Sequence, residues 1–406
     1  MADEGKLVVS LDVGTSRIEV VVAEQTHDGR LDVIGVGRQA CRGIKRGVVV
    51  DIESTTRAIR RAVEEAELMA ECEIRGVVAS ISGSHISSQN SHGMVPVRER
   101  EVSTEDVMQV LEAARAVNLP ADRHLLHALP QEYIIDHQDG IQSPEGMAGV
   151  RLEVRAHLVT CAESAVLNIG KCITRCGLQM EALVAQQLAS AQAVLNPDEK
   201  ELGVCLVDMG AGTTDIAVYT GGAVRYTGVI PVAGEQVTND IAVTLRTPIK
   251  DAEELKLRHA CALVSQVPDD QVIQVQGVGS QQEERTLLRR TLAEVVQPRY
   301  EELFTLVNDE LVRQGFDGLL AGGVVLTGGA VQMEGVRELA EGVFDMPVRI
   351  GQPGETVGGL ADMVQDASHA AAVGLLNWEE QQQKGPRRNA KSGWWEAFWK
   401  WFRGEL

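Results

Sequence analysis

Two stretches with the same grammar constrain this chain more than any other feature. From Val204 a mostly apolar run ends in Asp208, Met209-Gly210-Ala211-Gly212 makes a tight turn, Thr213 and Thr214 add hydroxyls, and a β-branched run resumes through Tyr219. Near the N-terminus Leu7–Leu11 leads into Asp12, Val13-Gly14-Thr15-Ser16 turns, and Ile18–Ala23 returns. Each reads as strand, turn, strand. Glycine tolerates positive φ and lets backbone N–H groups approach a ligand closely. One acidic turn is ordinary, because turns recruit Gly, Asp and Thr. Two in matching order suggest an internal duplication with a ligand held between the halves. The chemistry fits a nucleoside triphosphate. N–H groups and hydroxyls wrap the phosphate oxygens, while Asp12 and Asp208 hold Mg²⁺ through its waters, since that ion keeps most of its hydration shell.

A third signature follows in the second half. Val324-Val325-Leu326-Thr327 reads as a strand running into Gly328-Gly329 and then a helix through Glu341. A Gly-Gly turn lies flat against a nucleobase or ribose, where a Cβ would collide. Alone it says little; after two phosphate hairpins it completes a nucleotide site.

Between these landmarks strands alternate with helices, which predicts an α/β core. Ile52–Cys72 carries Ala58, Ile59, Ala62, Val63, Ala66 and Met69 at helical spacing. Gly76–Ser82 is predicted as a strand. Residues 84–161 change character, with a helix over Glu105–Asn118 introduced by Ser103 and Asp106 in a capping-box arrangement, and short strands around Tyr133–Asp136 and Val150–Val159. This predicts an inserted α+β module. Helices are expected over Ala162–Gly177, Leu183–Leu195, Glu235–Leu245, Asp251–Leu263 and Ser368–Leu376. Residues 271–282 alternate as a half-exposed strand. Arg285–Gln314 should be helical, with a break near Gln297 before Pro298.

At 406 residues the chain suggests two domains or more. Its net charge of −20 argues against nucleic acid as a partner. The charge is uneven: six of the basic and two of the acidic residues lie in 384–406, so a tail of +4 follows a body of −24. A basic tail on an acidic body suits an anionic membrane surface. The seven cysteines include no C-x-x-C pair, and Cys172 and Cys176 read as buried thiols on one helix face. The N-terminal residues show no signal-peptide pattern, and no uncharged apolar run reaches the about 20 residues of a spanning helix.

Residues 379–392 are rich in Gln, Lys and Arg with Gly385-Pro386, which reads as a flexible linker. Four of the chain's five Trp follow. On a helical wheel Trp394, Trp395, Phe398, Trp399, Trp401, Phe402 and Leu406 share an arc of roughly 160°, with Glu396, Lys400 and Arg403 opposite. Such a helix lies in a membrane interface. The alternative is a helix docked in a protein groove.

Asp-x-Gly-Thr at 12–15 and Asp-x-Gly-x-Gly-Thr at 208–213, with Gly328-Gly329 downstream, resemble the phosphate loops of the actin, sugar-kinase and heat-shock-chaperone superfamily. Within it the chain is similar to the FtsA family of bacterial cell-division proteins over almost its whole length, tail included. The resemblance implies an actin-like (ribonuclease H-like) duplicated α/β fold with an inserted α+β subdomain and a C-terminal amphipathic helix. Subdomain 1A would comprise residues 1–83, 162–203 and 368–383, and subdomain 1C residues 84–161. Subdomain 2A would take 204–234 and 324–367, the lid 2B 235–323, the linker 384–392 and the membrane-targeting helix 393–406.

It implies ATP with Mg²⁺ between the halves. The expected contacts are Gly14, Thr15, Ser16, Gly210, Gly212, Thr213, Thr214, Gly234, Glu235, Gly328 and Gly329, with Asp12 and Asp208 on the metal. Glu253 and Lys256 match the family's adenosine-contacting pair; the residues alone read rather as a surface i,i+3 ion pair. By the same resemblance the lid receives the acidic C-terminal peptide of the tubulin-like FtsZ, with Arg289, Arg290 and Arg299 as candidate contacts. Taken singly, each of these also reads as a solvated helix charge. Subdomain 1C would meet other divisome proteins, and copies would associate into filaments at the cytoplasmic face of the inner membrane. Gln186 and Gln187 stand where the chaperones carry an acidic residue. Gln orients water but is a poor base, so at most slow ATP hydrolysis is expected and no catalytic residue is assigned. The rivals are an FtsA-like adaptor of a pilus machine and a small-molecule kinase or brisk ATPase of the same superfamily.

Overall fold

A computed structural model describes residues 6–27, 29–278, 284–354 and 357–378. The linker and aromatic helix expected after Trp378 lie outside the described residues. So do Trp394, Trp395, Phe398, Trp399, Trp401, Phe402 and Leu406.

The first half opens with an antiparallel meander of β1 (Lys6–Val13), β2 (Arg17–Gln25) and β3 (Leu31–Ala40). A small hairpin, β4 (Ile44–Lys45) and β5 (Val48–Val49), precedes α1 (Ile52–Ala70). The α1 helix starts where the Asp51 carboxylate accepts the Ser54 N–H at 3.0 Å, and it buries Ala58, Ile59, Ala62, Val63 and Ala66. It then hands the chain to β6 (Gly76–Ile81), parallel to β1.

The insert follows: β7 (Ser87–Pro96), α2 (Thr104–Arg115), β8 (Arg123–Ile135), β9 (Gln138–Ile141) and β10 (Arg151–Ala162). Its sheet runs β7-β10-β8-β9, with α2 packed on it over a core of its own. Ser103 and Asp106 form the capping box that starts α2. The strands are longer than their alternation suggested. β7 was not visible in the sequence because most of its residues are exposed or half-exposed and its ladder is to β10.

The first half resumes with α3 (Glu163–Thr174), β11 (Gln179–Ala185), α4 (Gln186–Val194) and α5 (Pro197–Leu202). Leu183–Ala185, expected to open the helix, instead end a strand parallel to β6. Their apolar run serves a buried strand as well as a buried helix.

The second half repeats the first. The strands β12 (Val204–Met209), β13 (Thr214–Thr220) and β14 (Ala223–Ile230) form its meander. Then follow α6 (Gly234–Leu245), α7 (Ile249–His259), the ribbon β15 (Val272–Gln276)/β16 (Glu284–Leu288) and α8 (Arg289–Arg313). Then come β17 (Val324–Thr327), α9 (Val336–Phe344), β18 (Val348–Ile350), β19 (Val357–Gly359) and α10 (Ala370–Leu376). The sheet orders β3-β2-β1-β6-β11 and β14-β13-β12-β17-β18 superpose the duplication strand for strand.

Three expectations are corrected here. Arg285–Leu288 is strand, not helix. The α8 helix runs unbroken past Pro298, because Leu292, Val296, Tyr300, Phe304 and Val307 bury one continuous face whose packing outweighs the lost backbone bond. The chain also returns to the first half before residue 368, since β19 pairs in parallel with β3.

The halves meet through α4 and α10. A Cβ on Gly374 would fall 1.8 Å from the Ala189 carbonyl oxygen, so these small-residue helices cross almost in backbone contact. The insert covers β14, the edge of the second sheet: Ser88 Oγ donates to Thr227 O (2.8 Å) and Gln131 Nε2 to Val224 O (2.8 Å). Among the described residues no helix is long and apolar enough to cross a membrane.

Candidate nucleotide site

Strand ends place the acidic side chains. Asp12 closes β1, where Ser80 from the neighbouring β6 donates to its Oδ1 at 2.7 Å and accepts the Val13 N–H at 2.8 Å. Asp208 occupies the matching place on β12. Ser190 Oγ donates to its Oδ2 at 2.6 Å and Gln186 Nε2 at 3.2 Å, both from α4. Asp12 and Asp208 line one cleft of about 470 Å³ between the halves. Asp215 stands opposite Asp208 in the β12–β13 register and is fully buried. Its carboxylate accepts from Ser82 Oγ at 2.7 Å, across the gap from the first half, and the same hydroxyl lies 2.9 Å from Thr213 Oγ1.

These carboxyls are short of countercharge. Burial pushes Asp12 up to about 6 against the Ser80 hydrogen bond, with Glu19 adding to the rise. Burial, and next the charge of Asp208, pushes Asp215 up to about 8. Burial raises Asp208 too, although Ser190 and Gln186 hold it back.

Around this acidic floor the cleft is lined by Gly14, Thr15 and Ser16 from the first turn, and by Gly210, Gly212 and Thr213 from the second. Gly234, Glu253, Lys256, Gly328 and Gly329 line it further out. The glycines are needed. Gly328 sits at φ 92°, and a Cβ there would lie 2.4 Å from Asp208 Oδ1. A Cβ on Gly212 would lie 2.6 Å from Thr15 Oγ1, in the opposite half. Lys256 Nζ bonds Glu253 Oε2 (2.7 Å), Thr238 Oγ1 (2.9 Å) and Gly234 O (3.1 Å), and so pins α7 to the start of α6. Tyr300 OH donates to Ala330 O at 2.8 Å, which ties α8 to the Gly-Gly turn.

Comparison with known proteins agrees with this architecture. Residues 205–374 match the family model for cell division protein FtsA, and residues 83–160 match that for the SHS2 domain inserted in FtsA. Cell division protein FtsA of Pseudomonas aeruginosa is 53% identical over 389 residues, 96% of this chain and 93% of that protein. The chain belongs to the FtsA family. FtsA of Escherichia coli K12 is 48% identical over 93% of this chain and 91% of its own length. The family places this chain in cell division. Among solved structures, a PilM–PilN type IV pilus biogenesis complex shares the fold at a TM-score of 0.65 and 17% identity, covering 91% of this chain and 97% of the other. MreB5 of Spiroplasma citri bound to ADP does so at 0.57 and 14%, covering 93% and 98%. These place this FtsA-family chain in the actin-like fold, and the SHS2 match is the inserted subdomain 1C.

Some expected site residues sit elsewhere. Thr214 does not line the cleft: it is buried in β13 with its hydroxyl on Val232 O at 2.8 Å. Glu235 is exposed and lies outside the lining; its backbone N–H bonds Ala211 O at 2.8 Å. Both follow from strand and helix phase, which a motif match does not read. Of Arg289, Arg290 and Arg299, only Arg289 lines the cleft, bound to Glu334, His259 O and Gln271. Arg290 pairs with Asp269 and Glu294. Arg299 pairs with Asp240 and Glu302 beside a shallow groove of about 350 Å³ flanked by α6 and α8.

Sequence reasoning passed over Ser82 and Asp215. Asp215 had a signal, since it faces Asp208 across a two-stranded register. Ser82 had none, because its role depends on how the halves meet.

Proposed function

We propose that the chain binds ATP with Mg²⁺ between its halves, and that the bound nucleotide sets a conformation favouring head-to-tail filaments on the cytoplasmic face of the inner membrane. The aromatic tail holds the filament on lipid and the lid captures the FtsZ C-terminal peptide. The observation that carries this reading is the single cleft, faced by Asp12 and Asp208 and floored by glycine-backed turns from both halves. The donor set fits the metal. Buried carboxyls with raised proton affinity suit a hard divalent cation, which keeps its waters and neutralises phosphate charge when bound.

Asp12 and Asp208 would hold that cation. The Thr15 and Thr213 hydroxyls and the turn N–H groups would hold phosphate oxygens. Glu253 and Lys256 stand at the nucleoside end with Gly328 and Gly329. MreB5 structures with ADP and AMPPNP support the same use of this fold. Gln186, held by Asp208 at 3.2 Å, is an amide that orients water without taking its proton, so ATP acts chiefly as a conformational ligand. Arg290 and Arg299 lie outside the cleft lining and would meet an acidic peptide, whereas Arg289 lines the cleft.

The test is co-sedimentation of FtsZ with anionic liposomes, using the full chain and a chain truncated after Lys391, with and without Mg²⁺–ATP. The full chain should bring FtsZ down, more so with ATP, and the truncated chain should leave it in solution. FtsZ pelleting equally with the truncated chain sinks the tether, and indifference to ATP sinks the conformational role.

A further inference from the structure

The β4–β5 hairpin is not absorbed by the site described above. It is a two-residue turn with both tip residues left-handed, Arg46 at φ 48° and Gly47 at φ 77°. Glycine accepts that conformation; arginine resists it, and such a residue is kept only where its surroundings over-determine it. The surroundings do. Gly43 O receives the N–H groups of Val50 (2.8 Å) and Asp51 (3.0 Å), Cys41 N–H bonds Ser16 O (2.9 Å), and Ile44 and Val49 are buried. At the tip Gly47 N–H donates to Thr15 Oγ1 at 3.1 Å. The hairpin therefore moves with the first phosphate turn. It also reaches the second, because a Cβ on Gly212 would lie 3.0 Å from Arg46 Cα. Glu235, on the start of α6 in the other half, is within electrostatic reach of both Lys45 and Arg46.

Charge says what the tip is for. Each of the four cations lining the cleft is already held by a carboxylate: Arg17 by Glu19, Lys256 by Glu253, Arg258 by Glu254 and Arg289 by Glu334. The floor is acidic, and a magnesium-bound triphosphate stays net anionic. Lys45 and Arg46 are exposed and make no ion pair with a described residue. Gly47 lines the cleft, and Lys45 and Arg46 precede it, outside the lining, where the hairpin tip meets both phosphate turns.

We propose that the Lys45–Arg46 hairpin tip is a clamp for the terminal phosphate, bridging the two phosphate turns when a triphosphate is bound and thereby separating ATP from ADP. This rests on the cleft being a nucleotide site. The tip takes the polyanion's last phosphate, so its charge counts for a triphosphate and hardly for a diphosphate one group shorter.

The experiment is calorimetric titration of the full chain with AMPPNP and with ADP, both with Mg²⁺ at fixed ionic strength. It compares wild type with the Lys45→Gln/Arg46→Gln double variant and the charge-keeping Lys45→Arg/Arg46→Lys variant. The neutral variant should lose about tenfold or more in AMPPNP affinity and no more than about twofold for ADP, and the charge-keeping variant should recover most of the loss. Equal losses for the two nucleotides, or none, overturn the clamp while leaving the nucleotide site standing. A wild-type chain that binds neither nucleotide overturns the parent reading and the clamp together. Unfolding midpoints of the variants, both altered only at exposed side chains, should match wild type; a drop that tracks the AMPPNP loss makes the tip structural and also overturns the clamp.

Discussion

Replacing Gly212 by alanine adds one methyl group where the two phosphate turns of the halves approach closely. The backbone there is not left-handed, so alanine brings no torsional strain. It brings a wedge. The new Cβ would meet Thr15 Oγ1 at 2.6 Å, Thr15 Cγ2 at 2.8 Å and Arg46 Cα at 3.0 Å, all in the opposite half. Ordinary carbon contacts are about 3.5–4.0 Å, so the turns must part by roughly 0.5–1 Å. Overpacking of this size costs about 1–3 kcal/mol where nothing can yield. Here the joint between the halves can yield, so the cost falls on the closed arrangement that grips a nucleotide rather than on folding. In binding terms that is a loss of about 5- to 150-fold in Mg²⁺–ATP affinity. Calorimetric titration measures it, and thermal unfolding without nucleotide should show a midpoint close to wild type. A variant that binds Mg²⁺–ATP as wild type does would show that the halves do not close on this glycine, and would refute the shared-cleft geometry.

Three further outcomes are expected of the same cleft and its flanking helices. Asp208→Ala should weaken nucleotide binding at least about tenfold in Mg²⁺ and much less in EDTA; unchanged affinity in Mg²⁺ removes Asp208 from the site. Asp12 and Asp215 bind protons more tightly folded, at about 6 and about 8, than at the ordinary 3.8 of an unfolded chain. Their contribution to stability is therefore complete below about pH 4 and is lost as pH rises through 6 and then 8. Mg²⁺ competes with those protons, so its effect on the melting temperature should grow from pH 5 to 8.5, and a pH-independent Mg²⁺ effect contradicts the carboxyl cluster. Finally, Gly342 lies inside α9 with no atom within 4 Å of a Cβ built there. Gly342→Ala should stabilise the chain by about 0.5–1 kcal/mol in chemical denaturation, through helix propensity and a less disordered unfolded state; a loss of stability would mean α9 packs differently.

Much of the fold was legible because its signals are local. The strand–turn–strand pattern around Asp12 and Asp208 requires only alternation, glycine and a carboxylate within a few residues. The duplicated sheets follow from reading it twice. The Ser103–Asp106 cap and the buried face of α1 are likewise written within one helical turn or one helical period. Where the sequence misled, a distant partner decided. Pro298 sits in an unbroken helix because the packed face of α8 holds it. Leu183–Ala185 are strand because β6 lies beside them. Arg289 turns into the cleft because Glu334 waits there.

The sequence by itself determined that two acidic turns exist and that each would end a strand, since those choices are settled by neighbours along the chain. Only the tertiary structure decided that both turns open on one cavity, that Ser82 reaches across to Asp215, that β19 returns to the first sheet, and that a strained arginine hairpin lies against the second turn. Those are contacts between residues far apart in sequence, and no local periodicity encodes the distance between two halves.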